Sequence, residues 1–328
     1  MSSAGLAACV SPRSPLIDVR MGVGGAAQIV YLPTTLAARL GQFEKEGLQV
    51  TLEDFSGGSK ALEALLGGSI DVVSEFYDHT IQMAAEGKPL RAFISLLRYP
   101  GLTLVVSPRA SRPIAQIEDL AGATVGVTAP GSSTHFFLNY LLAKRNVEAS
   151  TVSVVGIGHT ATALAALESG QVDAGVLTEP SLTLLAARVP KLQLLADTRT
   201  KEGVEEIFGA PQYPASVLYA RQEWLEQNRD TAGRLARAMR FTLIWMLSHT
   251  AAQIAGKMPP EHVGPDRRVY EEALVAAMPI FHAEGTISMT GAEAVRRVLS
   301  YSLPAVRERP IDLKQTFTNE FVEAEMLR

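Results

Sequence analysis

Cysteine is nearly missing from this chain: Cys9 is the single one in 328 residues. That excludes an internal disulfide and any cysteine-built zinc or iron–sulfur centre. An excess of one charge is missing as well. The 30 basic and 34 acidic residues leave a formal net charge of -4, and the basic ones are dispersed, which argues against nucleic acid as a partner. No apolar run reaches the roughly 18 residues that a membrane-spanning helix requires. The densest, residues 241–247, is short, is flanked by Arg240 and His249, and reads as a core helix. Signatures of catalysis are lacking too: there is no Gly-x-Ser-x-Gly elbow, phosphate loop or dinucleotide-type glycine pattern. His79, His135 and His159 come from separate segments without a His-x-x-x-His pair, so neither a metal nor another cofactor is expected. The composition that is left, 47% apolar and 20% charged, suits a globular chain with room for two domains.

The segment around which the rest is organised is Gly126-Val127-Thr128-Ala129-Pro130-Gly131-Ser132-Ser133-Thr134-His135-Phe136-Phe137-Leu138. A short β-rich run meets a Pro-Gly break. Three hydroxyl residues then open a helical pattern whose apolar face is Leu138, Leu141 and Leu142. A helix start leaves backbone N–H groups unpaired and carries positive potential. With Ser132, Ser133 and Thr134 beside them, those donors suit a small polar or anionic group. A plain helix cap would account for one of the three hydroxyls.

Displacing the first part of the chain by 102 residues brings its pieces onto the second. Val23-Gly24 falls on Val125-Gly126, Leu62, Leu65 and Gly68 on Leu164, Leu167 and Gly170, and Ile70-Asp71 on Val172-Asp173. Each block reads strand, helix, strand, which predicts two similar α/β lobes. Strands are expected at residues 18–24, 49–53, 70–74, 93–97 and 102–106, with a helix over 75–85. The Ser-, Pro- and Arg-rich stretch 107–113 reads as the crossing between lobes, and residues 214–220 as a strand returning to the first. Residues 198–208 are polar with at most a loose helical turn, and from Arg221 the pattern is helical. The resulting division is a disordered tether over 1–17, a first lobe over 18–108 plus 209–328, and a second over 109–208. The C-terminal helices pack on one lobe.

In open α/β sheets ligands lie beyond the C-terminal strand ends, against helix starts. Four such ends carry suitable residues: Gln28; Ser74, Glu75, Phe76 and Tyr77, followed by Asp78 and His79; Ser132, Ser133, Thr134 and His135; and Thr178 with Glu179. Gly158-His159-Thr160 is a weaker fifth. Core packing would also explain Phe76 and Tyr77, and strand termination Glu179. Asp71 and Asp173 precede the apolar parts of their strands and read as structural. Leu6-Ala7-Ala8-Cys9 has the form of a bacterial lipoprotein processing site, without the charged and apolar segments that normally precede one. A lipid anchor at Cys9 and a stray cysteine in a tail both fit it.

Several motifs together resemble the periplasmic substrate-binding proteins of ABC importers, in the nitrate/sulfonate/taurine branch that also includes thiamine-pyrimidine precursor binders and synthases. They are Gly41-Gln42-Phe43-Glu44-Lys45-Glu46-Gly47-Leu48, Gly68-Ser69-Ile70-Asp71, Ile117-Glu118-Asp119-Leu120-Ala121-Gly122, Leu167-Glu168-Ser169-Gly170-Gln171-Val172-Asp173-Ala174 and Glu179-Pro180. The resemblance implies a two-lobed type II binding-protein fold, each lobe a mainly parallel sheet flanked by helices, with a helical C-terminal extension. It implies a monomer outside the cytoplasm, a small-molecule ligand trapped between the lobes, and an ABC permease at the inner membrane as partner. The synthase relatives carry a cysteine-rich segment absent here, so an enzyme on this scaffold is the weaker reading. The four sets of strand-end residues above correspond to ligand-facing positions, joined by Tyr213. Glu75, Asp78 and Glu179 favour a ligand with N–H donors or positive charge, and Phe76, Tyr77, Tyr99 and Tyr213 offer flat apolar surface. An aromatic or N-heterocyclic molecule, with an acidic end at Ser132–Thr134, is the expectation.

Overall fold

A computed structural model of the chain describes residues 15–326, the last three by backbone alone. Cys9 and most of the expected tether lie outside the described residues, and Ile17 already begins the first strand. The ten strands are β1 Ile17–Val23, β2 Leu48–Asp54, β3 Val72–Phe76, β4 Leu90–Ser95, β5 Thr103–Val106, β6 Thr124–Val127, β7 Ser153–Gly156, β8 Ala174–Leu177, β9 Leu194–Asp197 and β10 Ser216–Arg221. They form two five-stranded sheets, ordered β2-β1-β3-β10-β4 and β7-β6-β8-β5-β9. In each, one strand runs antiparallel to its neighbours: β10 in the first and β5 in the second. The sheets are therefore mixed, with the same topology twice. The 102-residue offset places β3 on β8 and β4 on β9, and the helix Asp78–Ala85 falls one residue short of Ser181–Arg188.

The inserted strands decide where the chain changes lobe. β5 pairs with β8 and β9, so the first crossing precedes Thr103 and is not the 107–113 stretch that composition suggested. An apolar strand such as 102–106 fits the centre of either sheet, and only its partners tell them apart. The second crossing follows β9, and β10 returns to the first sheet as expected. The two crossings are stitched together at one point. Leu102 N–H donates to Thr198 Oγ1 at 2.8 Å, and Thr198 N–H donates to Leu102 O at 3.0 Å.

Two local departures bear on the site. β3 continues through Glu75 and Phe76, because β10 offers Val217 and Ser216 as ladder partners, and the helix begins only at Asp78. The polar stretch after residue 198 holds a two-turn helix, Lys201–Phe208, whose Thr200 cap accepts from the Gly203 N–H while Val204 and Phe208 face the core. The C-terminal helices touch both lobes, against the expectation of one. Arg267–Ala277 packs on Ser181–Arg188, and Met289–Ser302 packs on both Asp78–Ala85 and Ser133–Lys144. The Tyr301 ring meets Tyr140 edge-on at 5.3 Å, and Arg297 donates to the Phe208 carbonyl. Contacts so distant in sequence leave no local periodicity to read.

Candidate functional site

The strand ends of the two sheets face one another. From the first lobe come the loop after β1, the end of β3 and the start of the Asp78–Ala85 helix. From the second come the start of the Ser133–Lys144 helix and the end of β8. Four contacts tie them. Ser133 Oγ donates to Asp78 Oδ1 at 3.0 Å, and Thr178 Oγ1 donates to Gln28 Oε1 at 2.8 Å. Ile29 N–H donates to the Glu179 carbonyl at 2.8 Å, and the His79 ring meets Phe136 edge-on at 6.3 Å. Gln28 is itself held by its Nε2, which donates to Gly24 O.

Glu75 lies just behind this seam, among first-lobe residues and beside Asp78. Gly24 and Gly58 flank its carboxyl so closely that a Cβ on either would fall about 2 Å from a carboxylate oxygen, at 2.0 and 2.2 Å. The Tyr31 hydroxyl donates to Oε1 at 2.5 Å, whereas Oε2 is buried without a hydrogen-bond partner. Burial pushes the Glu75 pKa up to about 8, only partly opposed by Tyr31 and reinforced by the Asp78 charge. Glu75 is thus a neutral acid near pH 7. Burial likewise raises Asp78, against the pull of His79 and Ser133. It lowers His79, against the opposing pull of the Asp78 charge and of the Gly131 backbone, and the His79 Nε2 is buried without a hydrogen-bond partner of ordinary geometry. Tyr219 lies 3.4 Å from His79 Nδ1 through its hydroxyl.

The remaining expected residues divide. Phe76 is buried with its ring edge-on to Tyr31 at 6.1 Å. Tyr213 is buried within reach of the Asp78 charge, its ring stacked on Phe208 at 4.2 Å. His135 is half-buried, and its Nδ1 accepts from Gly131 N–H. Ser132, Thr134 and Thr128 bond one another at 2.8–2.9 Å, which leaves Ser133 as the outward hydroxyl of that turn. Ser74 sits one step back, 2.6 Å from the Thr34 hydroxyl.

Two residues do not join the others. Tyr77 turns toward the β4 edge, with its hydroxyl on Thr316 and its ring on Phe317, because the helix that starts at Asp78 rotates it to the opposite side from His79. Glu179 is fully paired: Arg199 Nη1 donates to Oε1 at 2.8 Å and Thr183 N–H to Oε2 at 3.0 Å. It needs no ligand charge. Tyr31, Thr34 and Tyr219 were missed by sequence reasoning. Tyr31 follows the β1 loop that supplied Gln28 and obeys the same strand-end rule.

His159 carries more than its sequence context suggested. Its ring lies against the first lobe, where a Cβ on Gly25 would meet it at 2.8 Å, and the Asp54 charge acts on it. The next residue, Thr160, has φ 47°, a left-handed conformation that a β-branched side chain rarely adopts. Its N–H is held by Ser181 Oγ at 3.1 Å. Among the described residues no group of three or more His, Cys, Asp or Glu side chains could hold a metal ion.

A family model described as NMT1/THI5 like matches residues 28–252, most of the chain and nearly all of both sheets. The chain belongs to the NMT1/THI5-like family. A Bordetella bronchiseptica RB50 protein of solved structure is 38% identical and superposes with a TM-score of 0.87, over 94% of this chain and 96% of that one. The alkanesulfonate-binding protein SsuA from Xanthomonas axonopodis, bound to MOPS, shares 19% identity and a TM-score of 0.72, over 94% and 100%. Among curated relatives, the riboflavin-binding protein RibY of Chloroflexus aurantiacus is 22% identical over 94% of this chain and 86% of its own. A 4-amino-5-hydroxymethyl-2-methylpyrimidine phosphate synthase from Schizosaccharomyces pombe is 25% identical over 44% of this chain and 40% of its own. The family match and the 38% identical structure establish the family and its two-lobed α/β fold for this chain.

Proposed function

We propose that this chain is the extracytoplasmic solute-binding component of an ABC importer, and that its solute is a small aromatic N-heterocycle held in the plane of its ring by Glu75 and His79. The observation that carries this reading is the pair of buried atoms, Glu75 Oε2 and His79 Nε2, that lack a hydrogen-bond partner of ordinary geometry, with the His79 ring against Phe136 of the other lobe. A buried polar atom left unpaired costs about 1–3 kcal/mol. A ring bearing an N–H and a ring nitrogen would satisfy both, since a neutral carboxyl and a neutral imidazole each can donate or accept. The rings of Tyr31, Phe76, Phe136, Tyr213 and Tyr219 surround these groups and suit a flat apolar face. Gln28, Ser133, His135 and Thr178 complete the wall from both lobes, and Ser74 acts behind it through Thr34.

Support comes from two relatives whose names concern N-heterocycles, riboflavin and a substituted pyrimidine. An acidic end of the solute at Ser132–Thr134 has less support, because Ser133 already serves Asp78. Lipid anchoring at Cys9 belongs to the same reading, and mass spectrometry of the membrane-bound protein for a diacylglyceryl thioether tests it. Calorimetry with riboflavin, 4-amino-5-hydroxymethyl-2-methylpyrimidine, nitrate and methanesulfonate tests the solute class. Saturable binding of a ring compound is expected. Tight binding of nitrate or methanesulfonate, with none of the ring compounds, would overturn it.

A further inference from the structure

The start of the Ser133–Lys144 helix has the makings of an anion site, with free backbone N–H groups, positive helix potential and a hydroxyl facing the opposite lobe. In this chain a carboxylate already stands there. Asp78, from the other lobe, is 2% exposed and accepts from Ser133 Oγ at 3.0 Å. We propose that Asp78 sets the charge specificity of the groove: it is a built-in anion on that helix start, and it reserves the site for neutral or cationic solutes. The inference rests on reading this seam as the solute site and deepens that reading from shape to charge.

The surroundings argue the same way. The titratable groups that act on Asp78 or are acted on by it are Tyr31 from the β1 side, Glu75 at the end of β3, His79 beside it, and Tyr213 and Tyr219 from the second crossing and β10. From the opposing helix only the uncharged Ser133 hydroxyl touches it. No lysine or arginine stands among these groups; His79 is the one cationic partner Asp78 has there, and burial disfavours its charge. Arg199, the cation near the β8 end, is taken up by Glu179 and Asp197. An anionic solute would therefore meet the Asp78 carboxylate with no lysine or arginine to offset it, in a place where burial magnifies the repulsion. A second observation gives the seam a ligand-facing character independent of the helix start. His79, fully buried and adjacent to Asp78 in sequence, keeps an unpartnered Nε2 there.

The test uses methanesulfonate, which stays ionised across the usable pH range, as the anion probe in calorimetry on the full protein. Asp78→Asn keeps an acceptor for Ser133 and removes the charge; it should bind methanesulfonate at least tenfold more tightly than the wild type at pH 8. Ser133→Ala, which keeps the carboxylate, should stay as blind to the probe as the wild type. Should Asp78→Asn fail to fold, the wild type titrated with the probe at falling pH replaces it, and binding should appear as Asp78 takes up a proton. The proposal is overturned if the wild type binds methanesulfonate at pH 8 as tightly as folded Asp78→Asn, if Ser133→Ala gains as much as Asp78→Asn, or if neither loss of the charge nor acidification admits the probe. Ring-compound binding is measured on the same samples. A chain that rejects every ring compound yet gains methanesulfonate on Asp78→Asn would sink the solute class and leave the charge filter standing.

Discussion

The two lobes share a topology and differ in chemistry at matched places. One residue type recurs with one role: Asp71 accepts from the Arg20 N–H and side chain, and Asp173 accepts from the Thr124 and Ser111 N–H groups. Burial raises both carboxyls, and those donors outweigh it and hold them below the usual range. Four to eight residues on, the copies part. The first lobe has Glu75 at its strand end and Asp78 and His79 at the start of the following helix, all buried and two of them with unpartnered atoms. The second has Leu177, Pro180 and Ser181 at the same offset, and its one buried acid there, Glu179, is paired by Arg199. Where the repeat is kept, it builds scaffold; where it breaks, it leaves the buried, unpaired groups on which the proposed site rests.

Breaking that comparison at Glu75 should give the largest effect. A carboxyl whose folded pKa is raised stabilises the fold fully below its unfolded value of 4.5, and that stability is lost as pH rises toward about 8. Solute-free wild type should lose up to about 1.4 kcal/mol per pH unit within that window. Glu75→Gln, which keeps an acceptor for Tyr31, should flatten the slope, as read by urea melts from pH 4.5 to 8. No matched change at Leu177 removes a pH dependence of this kind.

Glycines at the same offset sharpen the contrast. A Cβ on Gly24 would lie 2.0 Å from Glu75 Oε2, and one on Gly126 would lie 2.5 Å from the Ile157 side chain. Each Gly→Ala change should destabilise by about 1–3 kcal/mol through overpacking. Only Gly24→Ala should also weaken solute binding in calorimetry, about tenfold, because only it displaces a site group. Equal loss of affinity in both variants would erase the distinction between the lobes.

The smallest effect is expected at Thr160, whose place in the first lobe is taken by Gly58. Thr160→Gly should relieve the left-handed strain and raise the thermal midpoint, by about 1 kcal/mol of stability. A lower midpoint would mean that the side chain contributes more than its backbone conformation costs.

How much of this was legible in the sequence follows from where each signal lives. Apolar periodicity is local, so the strand–helix–strand blocks and the repeat could be read from residues such as Leu62, Leu65 and Val72. The crossing could not, because the apolar strand 103–106 is equally at home in either sheet until its partners are known. The strand-end rule names Gln28, Ser133 and Thr178, which make contacts across the lobes, and ranks His159 lower, whose contact with Gly25 in the other lobe no local pattern reveals. Tyr77 was included because it adjoins Phe76, but one step along a strand reverses the side chain, and the helix start at Asp78 fixes it there. Pairing of Glu179 by Arg199 joins residues 20 apart across a loop and has no sequence signature.

The account turns on a carboxyl that the first lobe buries behind its strand end, with Tyr31, Gly24 and Gly58 packed against it. A pH titration of the Glu75 side-chain carboxyl by carbon-detected NMR, in solute-free protein, reads this directly. The account predicts a midpoint near the value of about 8 set by burial; a midpoint in the ordinary glutamate range, about 4.3, would contradict it.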